Sequence, residues 1–109
     1  MSLRYYLAGP MTGLPEFNYP AFTSAADELR RRGFEVVSPH ELHDGDTGRS
    51  WEFYVRAGLR ALLDCDEVVL LHGWHRSSGA RLEHTVAVSV GIPCTEYVDL
   101  IAAIEPKGK

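Results

Sequence analysis

The sequence predicts one α/β domain of the doubly wound, flavodoxin-like or Rossmann-like class, with a four- to five-stranded parallel sheet flanked by helices. The first observation is a set of short apolar runs such as Val68–Leu71, which have the composition of strands buried on both faces of a parallel sheet. The second is that these runs alternate along the chain with amphipathic segments of helical spacing. Strands and helices in this alternation form parallel sheets through right-handed crossovers.

Length and composition restrict the classes of protein that fit. The 109 residues suffice for one hydrophobic core, and we assign residues 1–104 to the domain and 105–109 to a disordered tail. No segment approaches the roughly 18 apolar residues of a membrane span, and a signal-peptide pattern is missing, so we expect a cytoplasmic protein that does not bind membranes. The formal net charge of −4 and a single basic run, Arg30–Arg32, argue against a nucleic-acid polymer as partner.

The first half of the chain contains two predicted strands and one helix. Arg4–Ala8 is typical of a strand, because aromatic and aliphatic residues run up to a glycine and a proline. Apolar residues in Pro20–Arg32 recur at helical spacing, and Phe34–Val37 follows as the second strand. The loop Gly9–Asn18 contains glycines and prolines, as do many ligand-facing loops of α/β domains, although a plain surface turn fits equally well.

The second half contains two helices, two strands and a last helical turn or two, after a polar loop that we expect to be mobile. Ser50 is an N-cap candidate for the second helix. Leu82, Val86 and Val90 recur at helical spacing and predict the apolar face of the third. The predicted segments are the loop His40–Arg49, the helix Ser50–Leu63, the strand Val68–Leu71, the loop His72–Gly79, the helix Ala80–Val90, the strand Cys94–Tyr97 and the helical segment Val98–Ile104.

The loops after the first and third strands are the expected ligand-binding region. If the strand order is 2-1-3-4, both loops border the crevice at the carboxyl ends of the strands, where ligands bind in such sheets. Ser77, Ser78 and Gly79 bring hydroxyl and backbone N–H groups to the start of a helix, whose dipole favours an anion. The alternative is that these residues only cap the helix.

Glu83, one helical turn further on, is the candidate reactive group. Ala80 and Ala87 flank it on the same row of the helix, and their small side chains leave room for a ligand to approach the carboxylate. The alternative is a structural glutamate that is stabilised by the helix dipole.

Three blocks of sequence carry a family resemblance. They are YLAGPMTG after the first strand, CDEVVLLHGW at the third strand, and SSGARLEHTVAVSVGIP at the following helix. Together they resemble the nucleoside 2-deoxyribosyltransferase superfamily, and most closely its DUF4406-type branch, over about residues 5–93. Members of the superfamily include transferases that exchange bases on deoxyribose and hydrolases that cleave the N-glycosidic bond of nucleoside monophosphates. The resemblance implies a small-molecule nucleoside or nucleotide as the partner.

The resemblance also implies roles for individual residues. Glu83 would be the nucleophile that attacks the anomeric carbon, forming a glycosyl-enzyme ester that water or a second base resolves. Trp74 matches the DUF4406-type branch, and its ring would either stack on a base or fill a hydrophobic subunit contact. The remaining substrate-binding residues implied are Tyr6, Gly9 and Pro10 around the nucleoside and Ser77, Ser78 and Gly79 around a 5′-phosphate.

One position departs from the pattern of the resembled enzymes. They usually carry an aspartate eight residues before the position of Asp66, where it relays a proton to the departing base; here that residue is Gly58. Glu52, Asp64 or His75 are possible substitutes, and the space beside the glycine is expected to be open to a ligand or a packed helix. The alternative function is therefore a catalytically impaired nucleotide-binding module of the same fold.

We expect neither a cofactor nor a metal ion. The five histidines lack zinc-binding motifs, and Cys65 and Cys94 are predicted to be free thiols. We also expect a homo-oligomer, a dimer or larger, because the second and third predicted helices carry apolar residues beyond one face.

Overall fold

The computed structural model describes residues 3–42 and 48–104, in which four strands alternate with four helices. The predicted elements are all present, with ends that differ by only one or two residues. Part of the predicted mobile loop (43–47) and the predicted tail (105–109) lie outside the described residues. The elements are β1 (Arg4–Ala8), α1 (Tyr19–Arg31), β2 (Glu35–Val37), α2 (Trp51–Leu62), β3 (Glu67–Leu70), α3 (Ser78–Ser89), β4 (Cys94–Glu96) and α4 (Tyr97–Ile104).

The four strands form one parallel sheet in the order β2-β1-β3-β4, which confirms the predicted class and strand order. In the centre of the sheet, Tyr6 of β1 pairs with Val37 on one side and Val68 on the other. The order reverses between β1 and β3, so the loops that follow these two strands lie at the same edge of the sheet. No helix in the described ranges has both the length and the apolar character to cross a membrane.

Each face of the sheet has its own hydrophobic core. On one face, α1 and α4 pack through residues such as Phe22 and Leu100 against the side chains of Leu7 and Val69. On the other face, α2 and α3 pack against a set that includes Tyr6 and Val68, with Leu62, Ala80 and Ala87 from the helices. Successive strand residues point to opposite faces of the sheet. Tyr6 therefore faces α2 and α3, whereas Tyr5 faces α1.

The buried face of α3 differs from the predicted one. Leu82 and Val90 are 37% and 57% exposed, whereas the buried residues of this helix are Ala80, Glu83 and Ala87. The prediction that the Leu82, Val86 and Val90 row forms the face toward the core is therefore wrong. The small alanines let the helix backbone lie close to β1 and β3, and this close approach brings a glutamate against the sheet.

Enlarging the buried alanine row tests this assignment. We expect Ala87→Leu to lower the free energy of unfolding by about 1–3 kcal/mol, because added methyl groups have no room in a packed interface. The matched control Val88→Leu adds a methylene on the exposed side of the same helix and changes stability by less than about 0.5 kcal/mol. Urea unfolding measures both, and equal losses in the two variants would contradict the assignment.

Candidate functional site

A cavity of about 310 Å³ lies where the loops after β1, β2 and β3 meet. Its wall contains Gly9 after β1, Pro39 after β2, and Ser77 after β3, so all three loops follow the carboxyl ends of parallel strands. This is the edge at which doubly wound sheets bind ligands. The predicted ligand region is therefore a concave site of the size that holds small molecules.

Glu83 lies in the wall of this cavity and is nonetheless nearly buried, with 8% of its surface exposed. The hydroxyl of Tyr6, which is fully buried in β1, donates a hydrogen bond of 2.7 Å to Oε2 of the carboxylate. Among the described residues this is the hydrogen bond that holds the carboxylate, and it joins the central strand to α3. The hydrogen bond fixes the position of Oε2 in a side chain that also lines the cavity.

The surroundings of Glu83 change its acidity. Burial raises the pKa of the carboxyl from 4.5 to about 7, while the hydrogen bond from Tyr6 acts in the opposite direction and lowers it. The pKa of Tyr6 is raised well above 10.0, first by burial and then by the adjacent carboxylate, so the tyrosine keeps its proton and remains the donor. A carboxyl with such a pKa changes charge near neutral pH, as reactive groups in active sites often do.

Gly58 of α2 lies directly beside this pair. A Cβ atom at Gly58 would lie 2.5 Å from the hydroxyl oxygen of Tyr6 and 2.6 Å from Oε2 of Glu83, which is closer than real contacts of this kind. Of the two occupants expected beside Gly58, a ligand or a packed helix, the structure shows the helix: the Glu83 carboxylate of α3 fills the space together with the tyrosine hydroxyl. The sequence could not decide between these two occupants, since the filling groups come from two other elements.

The groups proposed as substitute acids do not reach the cavity. Glu52, Asp64 and His75 are exposed and do not belong to its wall. Among the cavity-lining residues in the described part of the chain, Glu83 is the only carboxylate. Among the described residues, the site thus places one carboxylate in the cavity wall.

The start of α3 faces the same cavity. Ser77 and Gly79 line it, and the Ser77 hydroxyl also caps the helix by accepting a hydrogen bond of 3.2 Å from the backbone N–H of Ala80. Ser78 is exposed and does not line the cavity. Arg49, which the sequence did not single out, adds a cationic side chain to the wall. A helix N-terminus and a guanidinium on one cavity favour a negatively charged ligand group.

The loop after β1 forms part of the cavity wall, and its backbone passes close to Leu71. Gly9 lines the cavity, and a Cβ atom there would lie 2.9 Å from Cβ of Leu71, so this position requires glycine. Pro10 does not line the cavity; its carbonyl accepts a hydrogen bond of 2.9 Å from the Asn18 side chain, which closes the loop. Phe17, in the left-handed region with φ of 53°, places its ring in the wall.

Aromatic rings form much of the remaining wall, but Trp74 is not one of them. Trp74 packs against the core on the α2–α3 face, and its ring centroid lies 4.7 Å from that of His84. The tryptophan in the cavity wall is Trp51, at the first position of α2, together with Tyr19 and Tyr54. The sequence analysis did not single out Trp51, although its position directly after a polar loop could have indicated it. The proposed stacking role of Trp74 stays a prediction.

No three His, Cys, Asp or Glu side chains within residues 3–42 and 48–104 cluster to hold a metal ion. Among the described residues, the polar side-chain groups of the cavity wall are hydroxyls, the indole N–H of Trp51, one guanidinium and one carboxylate. Chemically, this set suits an organic ligand that carries a flat apolar part and an anionic part.

Glu83→Gln tests the raised pKa. The folded protein binds a proton on Glu83 more tightly than the unfolded chain does, so its contribution to stability is fully present below pH 4.5 and is lost as the pH rises to about 7. Glutamine does not titrate, so the free energy of unfolding of the variant relative to the parent should rise by roughly 2–3 kcal/mol between pH 4.5 and pH 8. Chemical denaturation at a series of pH values measures it.

Glu52→Gln is the control, because it removes an exposed glutamate from α2 and leaves the cavity intact. The pH-dependent rise in this control should be smaller than in Glu83→Gln, because Glu52 is exposed. If the free energies of unfolding of Glu83→Gln and of the parent changed equally with pH, the Glu83 carboxyl would have the same pKa in the folded and unfolded chain. That result would contradict the burial argument.

Comparisons with known proteins identify the family and the fold of the chain. The family described as "Domain of unknown function (DUF4406)" matches residues 3–96. A search of curated proteins finds no significant match. Among solved structures, a 2-deoxyribosyltransferase from the psychrotolerant bacterium Bacillus psychrosaccharolyticus is 23% identical, with a TM-score of 0.68 over 85% of this chain and 70% of that chain. Because the family match spans most of the chain, the protein belongs to the DUF4406 family, and it has the fold of the 2-deoxyribosyltransferases.

Proposed function

We propose that the protein cleaves the N-glycosidic bond of a nucleoside or nucleoside 5′-monophosphate, or transfers its base, with Glu83 as the nucleophile. The observation that carries the proposal is the buried carboxylate of Glu83, held by Tyr6 in the wall of a nucleoside-sized cavity. The shared fold with a 2-deoxyribosyltransferase supports the same reaction class.

The reaction proceeds in two steps at the anomeric carbon. Tyr6 occupies Oε2 of Glu83, so we assign the attack on C1′ to Oε1. The C–N bond breaks, its electron pair leaves with the base, and a proton from water neutralises the base, while a glycosyl ester forms on the carboxylate. Water or a second base then attacks C1′ and releases the carboxylate, and the proton that this nucleophile loses neutralises the hydroxide left by the first step. Water gives hydrolysis and a second base gives transfer.

The two ends of the substrate have different neighbours in the cavity. The aromatic rings of Phe17, Trp51 and Tyr54 suit the flat base, because every base has a face that stacks on an aromatic side chain. Arg49 and the N-terminus of α3 at Ser77 suit a 5′-phosphate. Both groups of residues share the cavity wall with the carboxylate of Glu83.

A second candidate function is nucleotide binding without turnover. It is favoured by the lack of a second carboxylate in the described part of the cavity wall, since a general acid that protonates the departing base contributes roughly 10²–10⁴-fold in rate. The two functions differ in one observable, the release of free base.

The homo-oligomeric state and the cytoplasmic location remain proposals. Exposed apolar side chains on and next to α2 and α3, such as Phe53, Leu63 directly after α2, and Val88, support the association of copies of this chain. Size-exclusion chromatography with light scattering measures the state directly.

The nucleophile assignment is tested by incubating the protein with a panel of nucleosides and 5′-monophosphates and separating free base by chromatography. We expect base release by the parent and a loss of roughly three orders of magnitude or more in Glu83→Gln, because no ester forms on an amide. Glu52→Gln, the exposed control, should retain the activity of the parent. Saturable binding without release would establish the binding module, and equal activity of Glu83→Gln and parent would refute the nucleophile.

The phosphate site is tested by comparing a 5′-monophosphate with the nucleoside of the same base. Arg49→Gln should raise KM for the monophosphate roughly tenfold or more, because it removes a charge-assisted contact, and should leave KM for the nucleoside within about twofold. The matched control Arg56→Gln removes an exposed charge from α2 and should change neither value. An equal change in both KM values would show that Arg49 does not bind the phosphate.

A further inference from the structure

We propose that Gly58 is a positioning residue of this site, because the missing side chain at this point of α2 is what allows Tyr6 to hold Glu83. The effect on turnover rests on the proposed function, whereas the effect on the hydrogen bond does not. Gly58 acts through the other two residues and does not itself line the cavity.

The geometry leaves no room for even a methyl group. The distances of 2.5 Å and 2.6 Å from a Cβ atom at Gly58 are to the two oxygens that share the hydrogen bond, the Tyr6 hydroxyl and Oε2 of Glu83. Tyr6 is fully buried in the central strand, so its ring has no space into which it can withdraw. A side chain at Gly58 therefore displaces the carboxylate or breaks the hydrogen bond.

The backbone does not require glycine here. Gly58 lies in the interior of α2 with helical geometry, unlike Gly13, Gly33 and Gly73, whose positive φ angles favour glycine. Glycine in a helix interior destabilises the helix relative to alanine. A glycine at this buried helical position is therefore explained by the space it leaves to Tyr6 and Glu83, and not by the conformation of the chain.

The close packing at Gly58 also bears on whether residue 58 could carry an acid. A carboxylic acid carried by α2 at residue 58 is incompatible with the Tyr6–Glu83 hydrogen bond as it stands. In this chain the glycine leaves room for Tyr6 to orient Glu83. The departing base then receives its proton from elsewhere than this position of α2.

A double-mutant comparison tests the proposal. Gly58→Ala should lower kcat about a hundredfold, the size of effect that a displacement of about 1 Å produces, and leave KM within about threefold. In the Tyr6→Phe background the hydroxyl is gone and the carboxylate has room to shift, so adding Gly58→Ala should lower kcat by less than about threefold further. A purely structural role of Gly58 predicts the same loss in both backgrounds, and that result would overturn the proposal.

A second measurement needs no substrate. Carboxyl ¹³C NMR follows the titration of Glu83 in the free protein, with Glu83→Gln identifying the signal. The parent should titrate near the pKa of about 7, and Gly58→Ala should titrate higher because the hydrogen bond that lowers the pKa is lost. Burial and Tyr6 are the two causes of the shift among the described residues, so Tyr6→Phe should raise the pKa similarly and the double variant no further.

These outcomes separate the two proposals. If the parent releases no base but its Glu83 titration moves as expected, the proposed reaction fails and the positioning role stands. If Gly58→Ala leaves the titration of the parent unchanged, the positioning role fails whatever the activity. If Gly58→Ala does not fold, recovery of folding when Tyr6→Phe and Glu83→Ala are both added supports the clash with the two oxygens, and failure in that background overturns it.

Discussion

The hydrogen bond between Tyr6 and Glu83 is the contact on which the site depends. Three separate features of the chain make it possible. The alternation of β1 turns Tyr6 toward α2 and α3, the small Ala80 and Ala87 let α3 lie against the sheet, and Gly58 leaves the space in which the two oxygens meet. A larger side chain at any of the three small positions moves the carboxylate away from its donor.

Burial of the Glu83 carboxylate costs free energy and therefore opposes this contact. A carboxylate that loses water without full replacement of its hydrogen bonds is destabilised, which is why its pKa rises despite the donor beside it. The same environment favours the proposed chemistry, because the positive charge that develops on a sugar at bond cleavage interacts more strongly with a carboxylate in a dry site. The destabilisation of Glu83 in the free protein and its proposed strength as a nucleophile therefore have one physical origin.

The sequence predicted the fold well because periodicity and strand composition report local structure, and the order of alternating elements restricts the topology. It predicted that Glu83 belongs to the ligand-binding region, on the basis of neighbouring residues and a family resemblance. It failed where the answer depended on the distance between elements: the packed face of α3 follows small residues and not the more apolar Leu82 row, and the tryptophan at the cavity is Trp51 and not Trp74. The occupant of the space beside Gly58 stayed open for a related reason, since periodicity in one helix says nothing about what a strand and a second helix place next to it.

The two faces of the sheet divide stability and function between them. The core under α1 and α4 contains large side chains such as Phe22 and Leu29, whereas α3 contributes only the small Ala80 and Ala87 to the core under α2 and α3. Large side chains bury more apolar area and stabilise more, so the α1–α4 face carries more of the packing energy. Small residues on the other face permit the close approach of helices that a buried, oriented carboxylate needs. The site thus lies on the face with the weaker core, and the core on the opposite face of the same strands supports it. Because β1 contributes side chains to both cores, it joins the stability of the fold to the geometry of the site.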